Sequence, residues 1–144
     1  MRLSMDKRTL PNDILLGEVA AVLDEGREAI ITPTGNSMLP TIRGGVDRVV
    51  LRRPDGIAEG DIVLMHADGR YILHRVIALD GDTVTLMGDG NLRGTEQCRR
   101  EEVLGTVAEI IRPGGRSRTP GKGRLWLALK PFRRYILAIY RRLI

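Results

Sequence analysis

A mainly β domain, a small antiparallel sandwich or a partly open barrel, is what this 144-residue chain predicts. Six short runs rich in β-branched and aliphatic residues follow one another between residues 28 and 111, with turn residues in the breaks. Hydrophobic residues make up 42% of the chain, enough for one core, and the length suits one globular unit with an appendage. The longest apolar runs, Ile62–Met65 and Leu125–Leu129, fall far short of the ~18 residues that span a bilayer, so no membrane anchor and no signal peptide are expected.

The elements can be justified in order. Met1–Pro11 shows no period and is expected to be a flexible arm. Asn12 or Asp13 can cap a helix, because a short polar side chain accepts from the free N–H groups of a first turn. Leu15, Val19, Val22 and Leu23 then recur at helical spacing until Gly26 stops the run, which closes an N-terminal unit over residues 1–27. Strands are expected at 28–34, 47–53, 61–67, 71–79, 83–87 and 103–111, forming a body over 28–111. Asp68-Gly69 between two of these runs is a two-residue hairpin signal, since a type I′ turn needs positive φ at both centres. Residues 112–124, rich in Gly, Pro and Arg, offer nothing to bury and predict a flexible, solvated basic linker. Residues 125–144 complete the chain as an amphipathic basic helix. Pro131 suits its first turn, Phe132, Tyr135, Ile136, Ile139, Tyr140 and Leu143 form one stripe, and Arg133, Arg134, Arg141 and Arg142 fall off it.

Charge divides along the same boundary. The net +5 is the sum of −5 over residues 1–111, with 13 Lys/Arg against 18 Asp/Glu, and +10 over residues 112–144, with ten Lys/Arg and no acid. Trp126, Phe132, Tyr135 and Tyr140 lie in the second part, and Tyr71 alone lies in the first. The single cysteine, Cys98, can close no internal disulfide, and a cytoplasmic location is the default expectation. Two histidines and one distant cysteine speak against a metal centre, no Gly-rich loop has phosphate-binding spacing, and no cofactor is expected.

Three residues could carry chemistry. In Thr34-Gly35-Asn36-Ser37-Met38-Leu39-Pro40 a strand runs into a Gly-Asn turn, where the backbone can bend sharply and present the Ser37 hydroxyl with exposed amides. An ordinary turn accounts for the same residues. In Tyr71–Ile77, alternation puts His74 on the face of Ile72 and Val76 and sends Arg75 the other way. A core histidine bonded to a carbonyl is the structural alternative there. A serine needs a base within hydrogen-bond reach and gains from a third group that orients the base. Asp89, in Met87-Gly-Asp-Gly-Asn91, offers that group, with Glu96 further along and a tight turn as the plain alternative for Asp89. His66, beside the hairpin, and Asp61, at a strand start, read as exposed and structural respectively.

Several boxes coincide in order and spacing. Gly35-Asn36-Ser37-Met38-Leu39-Pro40, Gly60-Asp61-Ile62-Val63, His74-Arg75-Val76-Ile77, Gly81-Asp82 and Gly88-Asp89-Gly90-Asn91 resemble the serine peptidases that unite type I signal peptidases with LexA-type self-cleaving repressors. The likeness covers about residues 30–111. It implies a nucleophilic Ser37 on a mostly β fold with a hydrophobic substrate groove. In bacterial signal peptidases and the repressors a lysine stands where this chain has His74, so the chain looks closer to the endoplasmic-reticulum-type enzymes, which use Ser, His and Asp. Their aspartate falls where this chain reads Leu92-Arg93-Gly94-Thr95, so Asp89, Glu96 or no carboxylate completes the site. Two further departures are the missing N-terminal anchor and the lack of a DNA-reading helix-turn-helix before Gly35.

The implied activity is a serine endopeptidase working through a Ser37–His74 dyad or a Ser37–His74–Asp89 triad, the oxyanion held by the Ser37 amide with the Asn36 side chain. Its partner would be an extended peptide or protein segment with small residues at the scissile bond. A non-catalytic peptide-binding module on the same fold is the alternative. The basic helix is suited to an anionic membrane surface, which would make the protein peripheral on the inner face, or to docking on its own sheet. Binding of nucleic acid by the tail is the less favoured reading, because an ordered apolar stripe is not needed to stack on bases.

Overall fold

The computed structural model describes residues 2–4, 12–123, 128 and 132–143. Helix α1 spans Asn12–Asp24 and buries Val19, Val22 and Leu23, the positions that helical spacing marks. It ends where expected: the N–H groups of Gly26 and Arg27 bond back to the carbonyls of Leu23 at 2.9 Å and Val22 at 3.2 Å, satisfying carbonyls the helix leaves open.

The expected strands follow as β2 (Glu28–Ile31), β3 (Arg48–Arg52), β4 (Ile62–Ala67), β5 (Arg70–Asp80), β6 (Thr83–Met87) and β8 (Val103–Ile111). Asp68 and Gly69 turn the β4–β5 hairpin with φ of 52° and 72°, as a type I′ turn requires. Three short strands join them: β1 (Arg2–Ser4), β7 (Glu96–Arg99) and β9 (Ser117–Arg118). The sheet runs β1-β2-β3-β8-β4-β5-β6-β7, with β9 pairing β8, and only the β1–β2 pair is parallel. The fold is therefore mainly β and antiparallel, an open half-barrel with a helix at each end of the chain.

Alternation along β4 divides the core in two. Ile62 and Leu64 join α1, β2, β3 and β8 in one buried cluster, which also takes Met38 and Ile42 from the loop after β2. Val63, Met65 and Ala67 face the other way and pack with Ile72, Val76, Val84, Leu86 and Cys98. Since α1 belongs to the first cluster, the N-terminal helix shares the core of the β body.

Two expectations need correction. The arm over residues 1–11 holds a short strand, Arg2–Ser4, parallel to β2. Of the expected linker over 112–124, residues 112–123 are solvated but tied to the body rather than flexible, and residue 124 lies outside the described residues. Arg112 N–H donates to the Arg116 carbonyl at 2.7 Å, and Ser117 and Arg118 then pair with Ile111 and Ile110. Arg112 Nη1 reaches Asp47 Oδ2 at 2.6 Å, where Arg43 also donates from its backbone N at 2.7 Å and its guanidinium at 3.2 Å. Asp47 is fully buried, so cationic partners are needed to keep its charge there. Composition predicted the solvation and had no means of showing the arginine contacts.

Helix α2 spans Arg133–Leu143. Its deeply buried residue is Leu137, 2% exposed, while Phe132, Tyr135 and Ile139 are 60%, 56% and 62% exposed. Ile136 and Tyr140 are half-buried, so the expected stripe is split between a buried and an open side. Pro131 and Trp126 lie outside the described residues. No helix among the described residues is long and apolar enough to cross a membrane.

Candidate active site

Ser37 sits in the loop between β2 and β3, which folds into a tight helical turn. Leu39 N–H bonds to the Asn36 carbonyl at 3.2 Å and Ile42 N–H to the Met38 carbonyl at 2.9 Å, across a cis Leu39–Pro40 bond. A second loop, after β6, is stitched to it. Gly90 N–H donates to the Ser37 carbonyl at 2.7 Å, and Asp89 N–H points at the Met38 sulfur at 3.4 Å. The two motif boxes that lie furthest apart in sequence thus form one main-chain unit.

His74 projects toward that unit from β5. It is 8% exposed, and its Nδ1 is hydrogen-bonded to Glu96 Oε1. Its Nε2 faces Gly88: a Cβ built there would lie 3.0 Å from Nε2 and 2.3 Å from the Ser37 carbonyl oxygen. The absence of a side chain at residue 88 therefore leaves free the space that the ring and the serine loop both border, and a Cβ there would collide with the loop. Ser37, His74, Asn91 and Glu96 all line one cavity of about 410 Å³, whose apolar wall includes Leu16, Ile31, Tyr71 and Leu73. The wall thus mixes apolar side chains with several polar ones.

Sheet register explains which carboxylate meets the histidine. Val76 on β5 stands opposite Leu86 on β6, and Leu86 stands opposite Glu96 on β7. Directly opposed residues share a face, and His74 lies two residues before Val76, so Glu96 and His74 project from the same side. Arg75 projects from the other side and is 2% exposed. There its Nε and Nη2 grip the two oxygens of Asp89, each at 2.8 Å, while Thr41 Oγ1 donates to Asp89 Oδ2. Arg75 Nη1 is satisfied by the carbonyls of Gly60 at 2.8 Å and Gly121 at 2.7 Å.

The placement expected for Asp89 is thereby corrected: it is the buried partner of Arg75, and Glu96 takes the position behind His74. Asn36 is exposed and is not part of the cavity wall, which Gly35, Ser37 and Met38 supply. Among the described residues the Ser37 N–H has no main-chain acceptor. Asp61 is structural as expected, accepting from Ala58 N–H at 3.0 Å and pairing with Lys122. His66 is exposed, its ring stacked on Tyr71 at 4.0 Å. Among the described residues no group of three or more His, Cys, Asp or Glu could hold a metal ion.

The mainly β half-barrel sets the class, that of the fold shared by signal peptidases and LexA-type repressors. The model of the Peptidase S24-like family matches residues 6–110, and the chain belongs to that family. The match contains every motif box from Gly35 to Asn91, so the resemblance read from those boxes is borne out for family and fold. No curated protein matches the chain.

Proposed function

We propose that the protein is a serine endopeptidase with Ser37 as nucleophile, His74 as general base and Glu96 as the group that orients the base. The observation that carries this reading is the clamped imidazole. A carboxylate on Nδ1 fixes the proton there and leaves the Nε2 lone pair toward the space beside Gly88 that the Ser37 loop also borders. Ser37 Oγ attacks the scissile carbonyl carbon as its proton passes to Nε2. The resulting imidazolium is stabilised by Glu96, and the oxyanion is held by the Ser37 N–H. Collapse breaks the C–N bond, His74 returns the proton to the leaving amine, and water then releases the acyl group by the same steps.

A fluorophosphonate probe tests this reading. It should label the wild-type protein, and neither Ser37→Ala nor His74→Ala should label above background. Labelling of Ser37→Ala equal to wild type overturns the assignment. A folded wild-type protein that does not react while still binding extended peptides favours a non-catalytic peptide-binding module.

A further inference from the structure

We propose that the open side of α2 is a docking surface for anionic lipid. The inference is independent of the catalytic reading. At 100° per residue, Tyr135 and Ile139 lie about 40° apart around the helix, Phe132 immediately precedes its first turn, and all three are more than half exposed. Leu137 points to the opposite side and is buried, which leaves the open ridge without cover from the chain's own core.

The chemistry beside the ridge selects the occupant. Arg134 and Arg142 are exposed next to it, and Arg134 lies over the Tyr135 ring, 4.7 Å from its centroid, with Nη2 donating to the phenolic oxygen at 2.7 Å. Residues 124–144, beyond the segment tied to the body, carry six cationic side chains and no acid, so any partner surface must tolerate dense positive charge. A helix of 11 residues is roughly 16 Å long, too short to cross a bilayer and suited to lying in its interface. Aromatic and aliphatic side chains would insert between acyl chains while the arginines meet phosphate headgroups. A nucleic acid would use the charge and leave Ile139 in water. A protein groove would use the ridge and leave the excess charge unmatched.

Full-length protein would be co-sedimented with vesicles of equal parts phosphatidylglycerol and phosphatidylcholine, and with phosphatidylcholine alone. Binding is expected only to the anionic vesicles, falling as salt rises. The double variant Phe132→Ser/Ile139→Ser should bind roughly tenfold or more weakly with an unchanged thermal midpoint, since both side chains are exposed. Equal binding by wild type and variant overturns the proposal, as does absence of binding. Salt-sensitive binding to a single-stranded oligonucleotide without vesicle binding transfers the surface to nucleic acid. A dimer that the variant dissociates, again without vesicle binding, assigns the ridge to a second copy of the chain.

Discussion

His74 and Arg75 are sequence neighbours that serve different ends, because β5 sends successive side chains to opposite faces. Glu96→Gln keeps the size of the side chain but removes the charge that stabilises an imidazolium. It should lower the rate of probe acylation by about 10² or more with little change in urea midpoint. Asp89→Asn should do the reverse. It leaves the Arg75 guanidinium, 2% exposed, without its counter-charge, and breaking a buried pair costs about 3–5 kcal/mol, read as a lower urea midpoint. If Asp89→Asn instead abolished labelling at unchanged stability, Asp89 would regain the orienting role. The turn at Ser37 and the inward face of His74 were legible in the sequence because turn chemistry and strand alternation are local. The carboxylate was not, because choosing between Asp89 and Glu96 needs the register of three strands. Cys98 offers a check on burial. Desolvation, aided by Glu102, holds its thiol above the ordinary value, so the folded state disfavours the thiolate. Whatever stability Cys98 contributes is complete below the unfolded-state value and is lost as pH rises through the folded one. A thiol-disulfide reagent should therefore react slowly with the native protein at neutral pH and rapidly in denaturant.

At the scale of elements, the junction of two loops at Gly88 is a tightly constrained point beside the cavity. Gly88→Ala would place a methyl 2.3 Å from the Ser37 carbonyl oxygen and 3.0 Å from His74 Nε2. Either the serine loop or the ring has to move, and overpacking of this kind costs about 1–3 kcal/mol. Probe labelling should fall by at least an order of magnitude while the far-UV spectrum is retained, since a displacement of about 1 Å is enough to spoil alignment. Native labelling rates in Gly88→Ala would show that the loops have more room than the backbone indicates. The elements that escaped sequence reading are the short edge strands. In β7, Glu-Gln-Cys-Arg, only Cys98 is buried, and β9 has two residues, too few to show any period. Longer strands with one or two buried faces, such as β4 and β5, announced themselves through aliphatic content and the Asp68-Gly69 turn between them.

Across the whole molecule, the basic segment is two things joined end to end, and the charge count alone could not separate them. Residues 112–123 are a strap. Arg112 enters the Asp47 site, Arg112 and Arg118 donate to the Thr41 carbonyl at 3.2 and 3.0 Å, Gly121 caps Arg75, and Lys122 pairs with Asp61. Thr41 and Asp89 belong to the loops around Ser37, so the strap braces the site from behind. Two truncations isolate its contribution, because both lack α2 and the burial of Leu137. A chain of residues 1–111 leaves Asp47, 0% exposed, with Arg43 alone among these arginines, and opens one hydrogen bond of the buried Arg75. Relative to residues 1–124 it should lose about 2–4 kcal/mol, measured as a difference in urea unfolding, and label more slowly at Ser37. Arg112→Ala in the full-length protein should reproduce part of that loss without moving vesicle binding, which belongs to the ridge on α2. Equal stability of the two truncations would mean that the strap is held by the body without bracing it, and the slow acylation expected of residues 1–111 would then disappear as well.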